Sequence, residues 1–567
     1  MPIETRLTPQ LIAEYTARGY WSDTTVGERF DRLAEACPDK TAVVDARQRV
    51  TYAGLRQLVD RLARGLYELG IRAGDRVTAQ LPNRVEALTV YFATAKIGAV
   101  LCPIVPYYRA AEVGHILDRS ESVALVLADT FGGFDYMEML REIRPKLAAL
   151  KHVIVVGENV PRDATSFREL VAGKGKAKPW TAQATAVRGE NNAGGNSQGV
   201  RLAELRPDAN APLVLMFTSG TESAPKAPIW THNTVHNCRV YNSSMELTDK
   251  DVQLCLAPVY HALGLAVGVH HILAEVGATG VWMDAFDPEE ALRLVERERA
   301  TVVVGVPPQL LAILNHPNLK KYDLSSLRIF LTAGAPMPAE GIRRLRAETG
   351  CGFVTQWGAS ESTGGPMTRL DDPPELASTT VGRPTDPAVE IAVFDERRES
   401  ILPPGQVGEM AIRGPFVHAG YYKDPELTRR SFHADGWFFT GDSVTVNVKG
   451  YVTFVSRIKD IINRGGEKIS AREVEEHLYA HPKVLAAAMV GMPDARLGER
   501  NCLYLVLREG EATTLEEIVS FLQERGMAKV KLPERLEVVD SLPMTPSGKV
   551  RKNLLRDDVA RKLRAGG

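Results

Sequence analysis

Thr218, Ser219, Gly220, Thr221 and Ser223 are followed by Lys226, and the run comes directly after the apolar segment 211–215. Hydroxyls, a flexible glycine and one cation on a strand-to-loop turn are what a polyphosphate needs: backbone N–H groups, O–H donors and a mobile positive charge. Pro225, not glycine, precedes the lysine, so the run is not a Walker A loop. On residue types alone a phosphate loop and a plain polar turn are equally good readings. Further along stand a carboxylate in Trp357-Gly358-Ala359-Ser360-Glu361, a second in Thr440-Gly441-Asp442, the cation Arg457, the pair Gly465-Gly466, and Lys549 after Pro546-Ser547-Gly548. Each has a bland alternative. On residue types alone Glu361 reads first as a surface acid and Trp357 as core, while Asp442 has the alternative of a turn former after glycine. Lys549 reads as part of a solvated basic tail with Lys552 and Arg556, and His261, beside apolar residues, as a satisfied core histidine.

The elements that must hold these residues are read from periodicity. Segments 75–81, 122–129, 151–157, 211–219, 251–258 and 300–307 are continuous apolar runs of strand length. Helical patterns alternate with them, as in 84–98 and 288–300. That alternation predicts α/β layers with largely parallel sheets. Residues 173–199, rich in Gly, Asn, Ser and Lys, read as an exposed flexible loop with no chemistry assigned. The last ~110 residues read as a separate small α+β domain. There Ser470 with Glu473, and Thr514 with Glu517, have the spacing of capping boxes, and 483–491, 501–508 and 534–540 read as strands. The expected division is an N-terminal domain over 1–456 and a mobile C-terminal domain over 457–567.

Composition narrows the function classes. The 567 residues hold 69 Lys+Arg against 70 Asp+Glu, a net charge of −1, so no bulk positive field exists to gather nucleic acid. Hydrophobic residues are 44% and charged residues 25%, ordinary globular usage. The six cysteines are scattered without metal spacing, which fits a reduced, cytoplasmic chain. The stretch 254–274 lacks Lys, Arg, Asp and Glu, but Pro258, Gly264, Gly268 and three histidines interrupt it. A buried strand, turn and helix explain it better than a membrane span.

Taken together and in order, these motifs resemble the acyl-adenylate-forming, or AMP-binding, superfamily of acyl-CoA synthetases, carrier-loading adenylation domains and luciferases. The resemblance runs from Thr51-Tyr52 to Arg551-Lys552 and also takes in Ala333-Gly334-Ala335-Pro336, Arg457-Ile458-Lys459-Asp460 and Pro258-Val259-Tyr260-His261-Ala262-Leu263-Gly264. The phosphate loop departs from the commonest form at Glu222, Ser223 and Ala227; the lost glycines should stiffen it and Glu222 adds negative charge. The opening stretch 11–45 looks like both cyclohexanecarboxylate-type CoA ligases and aryl-acid AMP ligases.

The resemblance implies a large α/β domain followed by a small mobile one, and a reaction of ATP, Mg²⁺, a small-molecule carboxylic acid and CoA. It implies that Thr218, Ser219, Gly220, Thr221 and Lys226 hold phosphates, and that Glu361 with Thr221 holds the metal. Gly334, Ala335, Pro336, Trp357, Gly358 and Ser360 would surround the nucleotide. Asp442, with Arg457, would take the ribose. Lys549 would bridge the carboxylate and the α-phosphate. Lys459 is the implied hinge, Gly465 and Gly466 the implied CoA-side loop, and His261 a tunnel gate. Tyr260, Gly264, Val306, Trp357 and Gly364 are candidate acyl-pocket residues, mostly apolar and without a cation. Three readings follow: an acid–CoA ligase for an uncharged hydrophobic acid of medium size, an aryl-acid AMP ligase loading a carrier protein, and a non-catalytic descendant. The last predicts loss of Lys226, Glu361 or Lys549, and all three are present. The particular acid and the oligomeric state stay open.

Overall fold

The computed structural model describes residues 3–172, 202–218, 225–335, 337–544 and 550–565. The chain forms two compact units. One comprises Met1–Thr218, Lys226–Glu390 and Arg413–Arg430; the other comprises Ser219–Pro225, Ile391–Ile412 and Ser431–Gly567. The expected loop at 173–199 lies outside the described residues.

The first unit carries two seven-stranded sheets. In one, Arg76–Gln80 lies between Val100–Pro103 and Ala124–Ala128, and His152–Val156 follows, all parallel. In the other, Val252–Cys255 pairs in parallel with Thr279–Trp282 and with Val302–Gly305; Ile329–Ala333 and Gly352–Gln356 extend it. Five of the six apolar runs hold one of these strands, and the sixth, 211–219, holds Pro212–Leu215, which pairs in parallel with Val100–Pro103. The runs are unbroken because helices cover both faces of parallel sheets, leaving no solvent face to demand polar alternation. The helix Val85–Ile97 is buried at Leu88 through Ile97 and ends at Gly98, whose φ of 72° closes it. Pro288–Glu298 is amphipathic instead. Asp287 accepts from the Glu290 N–H at its start, and Ala291, Leu292, Leu294 and Val295 face the core. The cap contributes about 1 kcal/mol. Burial of Leu292 and Val295 contributes about 1.5–3 kcal/mol each, so the apolar stripe holds this helix in place.

The stretch that raised the membrane question forms the strand Val252–Cys255, a turn and the buried helix Leu263–Val276. Among the described residues no helix is long and apolar enough to cross a membrane. This helix winds more widely than an α-helix, with i→i+5 hydrogen bonding. At 3.6 residues per turn, His270 and Glu275 would point about 140° apart. The wider winding brings them to one side, where His270 Nε2 lies 2.9 Å from Glu275 Oε1.

In the second unit, Val407–Arg413, Phe438–Val446 and Val452–Arg457 form antiparallel neighbours. A separate sheet holds Ile461–Arg464, Glu467–Ser470, Val484–Asp494, Gly498–Leu507 and Arg535–Val538. The helices Ala471–Leu478 and Leu515–Glu524 pack on it, burying Val474, Leu478, Ile518 and Leu522 among Met489, Leu503 and Leu505. Both expected caps form by half. Ser470 and Thr514 accept from the N–H groups of Glu473 and Glu517, but the glutamates turn elsewhere. Lys531 takes the Glu473 carboxylate and Lys483 takes that of Glu517, a stronger draw than one backbone N–H. The basic residues after Lys549 are not a solvated tail. They lie on the helix Lys552–Ala565, where Lys552 pairs with Glu475 at 2.8 Å and Arg556 with Asp460 at 2.7 Å.

Candidate active site

Thr218 and Lys226 stand at the neck of the candidate phosphate loop. The Thr218 N–H donates to the Lys226 carbonyl at 2.9 Å, so the chain enters and leaves the loop as a paired hairpin. Ser219, Gly220, Thr221, Glu222 and Ser223 lie outside the described residues, as do Pro336 and Lys549. Ala227, where the commonest form of the motif has glycine, is buried against Val100, Leu215, Ile229 and Tyr422. Its methyl group fills a small apolar cluster.

The first unit brings Lys226 and Glu361 together around one residue that the sequence did not single out, Tyr421. The Tyr421 hydroxyl donates to Glu361 Oε1 at 3.0 Å, and Lys226 Nζ lies 5.8 Å from the centre of the Tyr421 ring. The turn carrying Glu361 is fixed at both sides. Trp230 Nε1 donates to the Ser360 carbonyl at 2.8 Å, and the His418 N–H donates to the Glu361 carbonyl at 3.0 Å. Glu361 is half-buried, so its carboxylate is a fixed, hard oxygen donor of the kind Mg²⁺ takes. Burial holds the nearby His418 imidazole down at about 3, neutral at physiological pH.

Trp357 ends the strand Gly352–Gln356 and is 6% exposed, with its N–H on the Pro366 carbonyl. Gly358 has ordinary room, and Gly334, at φ 85°, and Ala335 form an exposed turn after Ile329–Ala333. Gly364 is packed against Phe416 and Val240; a Cβ there would lie 2.6 Å from the Phe416 ring.

The segment before the wide helix is tightly set. The His261 N–H donates to the Pro258 carbonyl at 3.0 Å, and the Leu263 N–H donates to His261 Nδ1 at 3.3 Å. A Cβ on Gly264 would sit 2.0 Å from the Pro258 carbonyl oxygen, so only glycine lets the helix start there. Tyr260 is half-buried; burial and the nearby Tyr107, Tyr108 and Tyr136 push its phenol above the ordinary value. Val306 caps the strand Val302–Gly305, its N–H donating to Gln309.

In the second unit Asp442 and Arg457 face each other across adjacent strands, with Arg457 Nε 2.8 Å from Asp442 Oδ1. Asp442 is 1% exposed while its partner is 41% exposed. The turn before Asp442 is held by a second pair: Arg398 grips Glu409 with two hydrogen bonds, and Glu409 accepts from the Gly441 N–H at 3.1 Å. Lys459 lies on a single turn, Ile458–Asp460, and its carbonyl accepts from Arg556 at 2.9 Å. Gly465 and Gly466, at φ 62° and 97°, make the tight turn between Ile461–Arg464 and Glu467–Ser470.

Sequence reasoning also missed a buried cluster. His236, His270 and Glu275 have donor atoms within 4.8 Å of one another, a spacing that could serve a metal. Here both imidazoles hydrogen-bond the same carboxylate oxygen, at 2.6 and 2.9 Å, and Arg29 lies 3.6 Å from the other. Arg29 already supplies the counter-charge, so the cluster is a closed ionic network.

The described residues thus hold a large mainly parallel α/β unit with a carboxylate–tyrosine–lysine group, and a smaller unit with a buried aspartate–arginine pair. The sequence model described as AMP-binding enzyme matches residues 30–422, and that of the AMP-binding enzyme C-terminal domain matches 473–549. The chain belongs to the AMP-binding enzyme family and is an AMP-forming acid–thiol ligase. It is 35% identical over 567 residues to a medium-chain fatty-acid–CoA ligase of Escherichia coli (strain K12), covering 99% of this chain and 95% of that one. It is also 35% identical over 561 residues to a 2,3-dihydroxybenzoate-AMP ligase of Bacillus subtilis (strain 168), covering 98% of each. A crystal structure of ATP-bound MatB from Rhodopseudomonas palustris superposes with a TM-score of 0.78 at 27% identity, covering 95% of this chain and 99% of that one.

Proposed function

We propose that the protein is a cytoplasmic ATP-dependent acid–CoA ligase for an uncharged, hydrophobic acid of medium size. In the first step a carboxylate oxygen of the acid attacks the α-phosphorus of ATP, the bond to pyrophosphate breaks, and an acyl-AMP forms. In the second the CoA thiol attacks the acyl carbon, AMP leaves, and the thiol proton passes to solvent. The observation that carries the reading is the lining around Tyr260, where Val259, Leu265 and Val269 supply apolar wall and no cation. A carboxylate tail with a second charge would be buried there unpaired.

Lys226 and the Thr218–Thr221 loop would neutralise the departing phosphates. Glu361, held by Tyr421, would bind Mg²⁺, which supplies charge neutralisation at the phosphates. Asp442 would accept from both ribose hydroxyls, since two carboxylate oxygens match two vicinal donors. Arg457, 2.8 Å from it, would orient that buried carboxylate. Trp357, Gly358, Ser360 and the Gly334–Pro336 turn would flank the adenine. Lys549 would stabilise charge on the α-phosphate during the first step, and Lys459 would be the hinge through which Gly465 and Gly466 replace it for the second. His261 would gate the tunnel, and Gly264, Val306 and Gly364 would complete the acyl wall.

A screen of carboxylic acids with ATP and Mg²⁺, read as AMP and pyrophosphate, tests the reading; release of ADP and phosphate overturns it. The similarity to an aryl-acid AMP ligase favours one second reading, a carrier-loading enzyme. Acyl-AMP that persists with CoA but is consumed by a separate carrier protein would establish that alternative.

A further inference from the structure

Beside Tyr260 the first unit holds a small, partly open void of about 20 Å³. Its walls include Leu88, Tyr91, Pro103, Tyr260, Leu265 and Val269. It lies between the strands Arg76–Gln80 and Val100–Pro103, the helix Val85–Ile97 and the wide helix Leu263–Val276. A void of this size holds one water or one terminal methyl group. Its walls are mostly apolar, which favours a methyl group over a water as the occupant.

Tyr91 is 1% exposed, and its hydroxyl lies 3.1 Å from His270 Nδ1. His270 Nε2–H in turn donates to Glu275, which also accepts from His236 Nδ1–H. This order of donors leaves His270 Nδ1 as the acceptor of the Tyr91 O–H. The phenol is thus tethered through a buried, charge-bearing chain to two other elements, the wide helix and the short helix His232–His236. A tethered ring cannot swing aside to admit a longer chain, as a free Leu or Met could.

We propose that Tyr91 is the stop that sets acyl length: the distal end of an alkyl chain passes Tyr260 and ends against the Tyr91 ring, and His270 and Glu275 act as positioning residues for that ring. The inference rests on the proposed acid–CoA ligase activity and names its substrate class, alkanoic acids whose ω-end fills this void.

The test is a length profile of kcat/KM for straight-chain alkanoic acids with ATP and CoA, run on wild type, Tyr91→Leu, Ala87→Leu and Tyr91→Phe. Ala87 also lines the void, from the helix Val85–Ile97. Tyr91→Leu deepens the void, and the ratio for acids two carbons beyond the wild-type optimum should rise about tenfold. Ala87→Leu fills it and should shift the optimum shorter by one or two carbons. Tyr91→Phe keeps the ring and loses the tether, so the cut-off should blur with the optimum retained. A purely structural role for Tyr91 would lower all lengths alike. An unchanged profile in Tyr91→Leu and Ala87→Leu, with melting curves showing both folded, overturns the stop. If one variant fails to fold, the other decides. Wild type active on other hydrophobic acids but on no alkanoic acid overturns the stop and leaves the ligase reading standing; no AMP and pyrophosphate with any carboxylic acid overturns the ligase reading itself.

Discussion

Replacing Tyr421 by phenylalanine isolates one hydroxyl at the candidate metal carboxylate. The ring is 5% exposed and would keep its volume and its place 5.8 Å from Lys226 Nζ, so folding and the lysine should be undisturbed. What is lost is the O–H donor 3.0 Å from Glu361 Oε1. A hydrogen bond to a charged acceptor contributes about 1.5–3 kcal/mol. Glu361 is half-buried, so water replaces part of that and leaves about 1.4 kcal/mol, just under the lower end, which corresponds to a tenfold effect. The expected result is a roughly tenfold rise in KM for MgATP, with KM for the acid and kcat at saturation nearly unchanged. The assay is pyrophosphate release across a Mg²⁺ titration at fixed ATP, in which Tyr421→Phe should need more metal. A variant that follows the wild-type curve in both ATP and Mg²⁺ would refute the idea that this hydroxyl orients the carboxylate.

Lys549→Ala should lose about 10²–10³ in acyl-AMP formation while retaining thioester formation from pre-made acyl-AMP and CoA. Lys552→Ala, which breaks the pair with Glu475, should lower Tm and leave the ratio of the two half-reactions unchanged; equal slowing of both steps in Lys549→Ala would remove its assignment. Lys459→Pro fixes φ at the implied hinge and should spare adenylation better than CoA transfer in separate half-reaction assays, whereas equal loss argues against a hinge. Burial alone would raise the Glu275 carboxyl, but hydrogen bonds from His236 and His270 hold it well below its ordinary 4.5. A carboxyl depressed in the folded state adds stability above its unfolded pKa and loses it as pH falls toward the folded value. Glu275→Gln should therefore be less stable at pH 7 yet show a shallower fall in Tm below pH about 4.5; an equally steep fall would be inconsistent with this.

The parallel-sheet strands were legible because burial on both faces demands continuous apolar runs, and 122–129 or 300–307 admit no other use. Lys226, Glu361, Asp442 and Arg457 were legible as types in ordered motifs. Their partners were not. Tyr421 lies 60 residues from the Glu361 it holds, within a stretch that has no chemistry of its own. Glu409 and Arg398 look like surface charges until the turn at Gly441 closes over them. The half-made caps at Ser470 and Thr514 fail for the same reason. Local spacing names the nearest donor, and a distant lysine outcompetes it. The wide helix was hidden most completely, since nothing in Gly264, Gly268, His270 and His271 fixes its pitch. Its His270 and Glu275 meet Tyr91 and His236, partners distant in the chain that no local spacing names.

That pitch has a consequence for chain length. A wide turn accommodates a surplus residue between two fixed ends, here Gly264 against Pro258 and Gly277 at φ 76°. Removing one residue from 272–274 would leave His270 four positions before the carboxylate of Glu275, the spacing an α-helix places on one face. The same bonds would then close at ordinary pitch. The segment is thus a place where a one-residue indel is absorbed by rewinding rather than by a loop, deep in a core where loops have no room. Relatives one residue shorter here are expected to keep both end points, and the surplus residue should mark a branch of the family rather than a change in its chemistry.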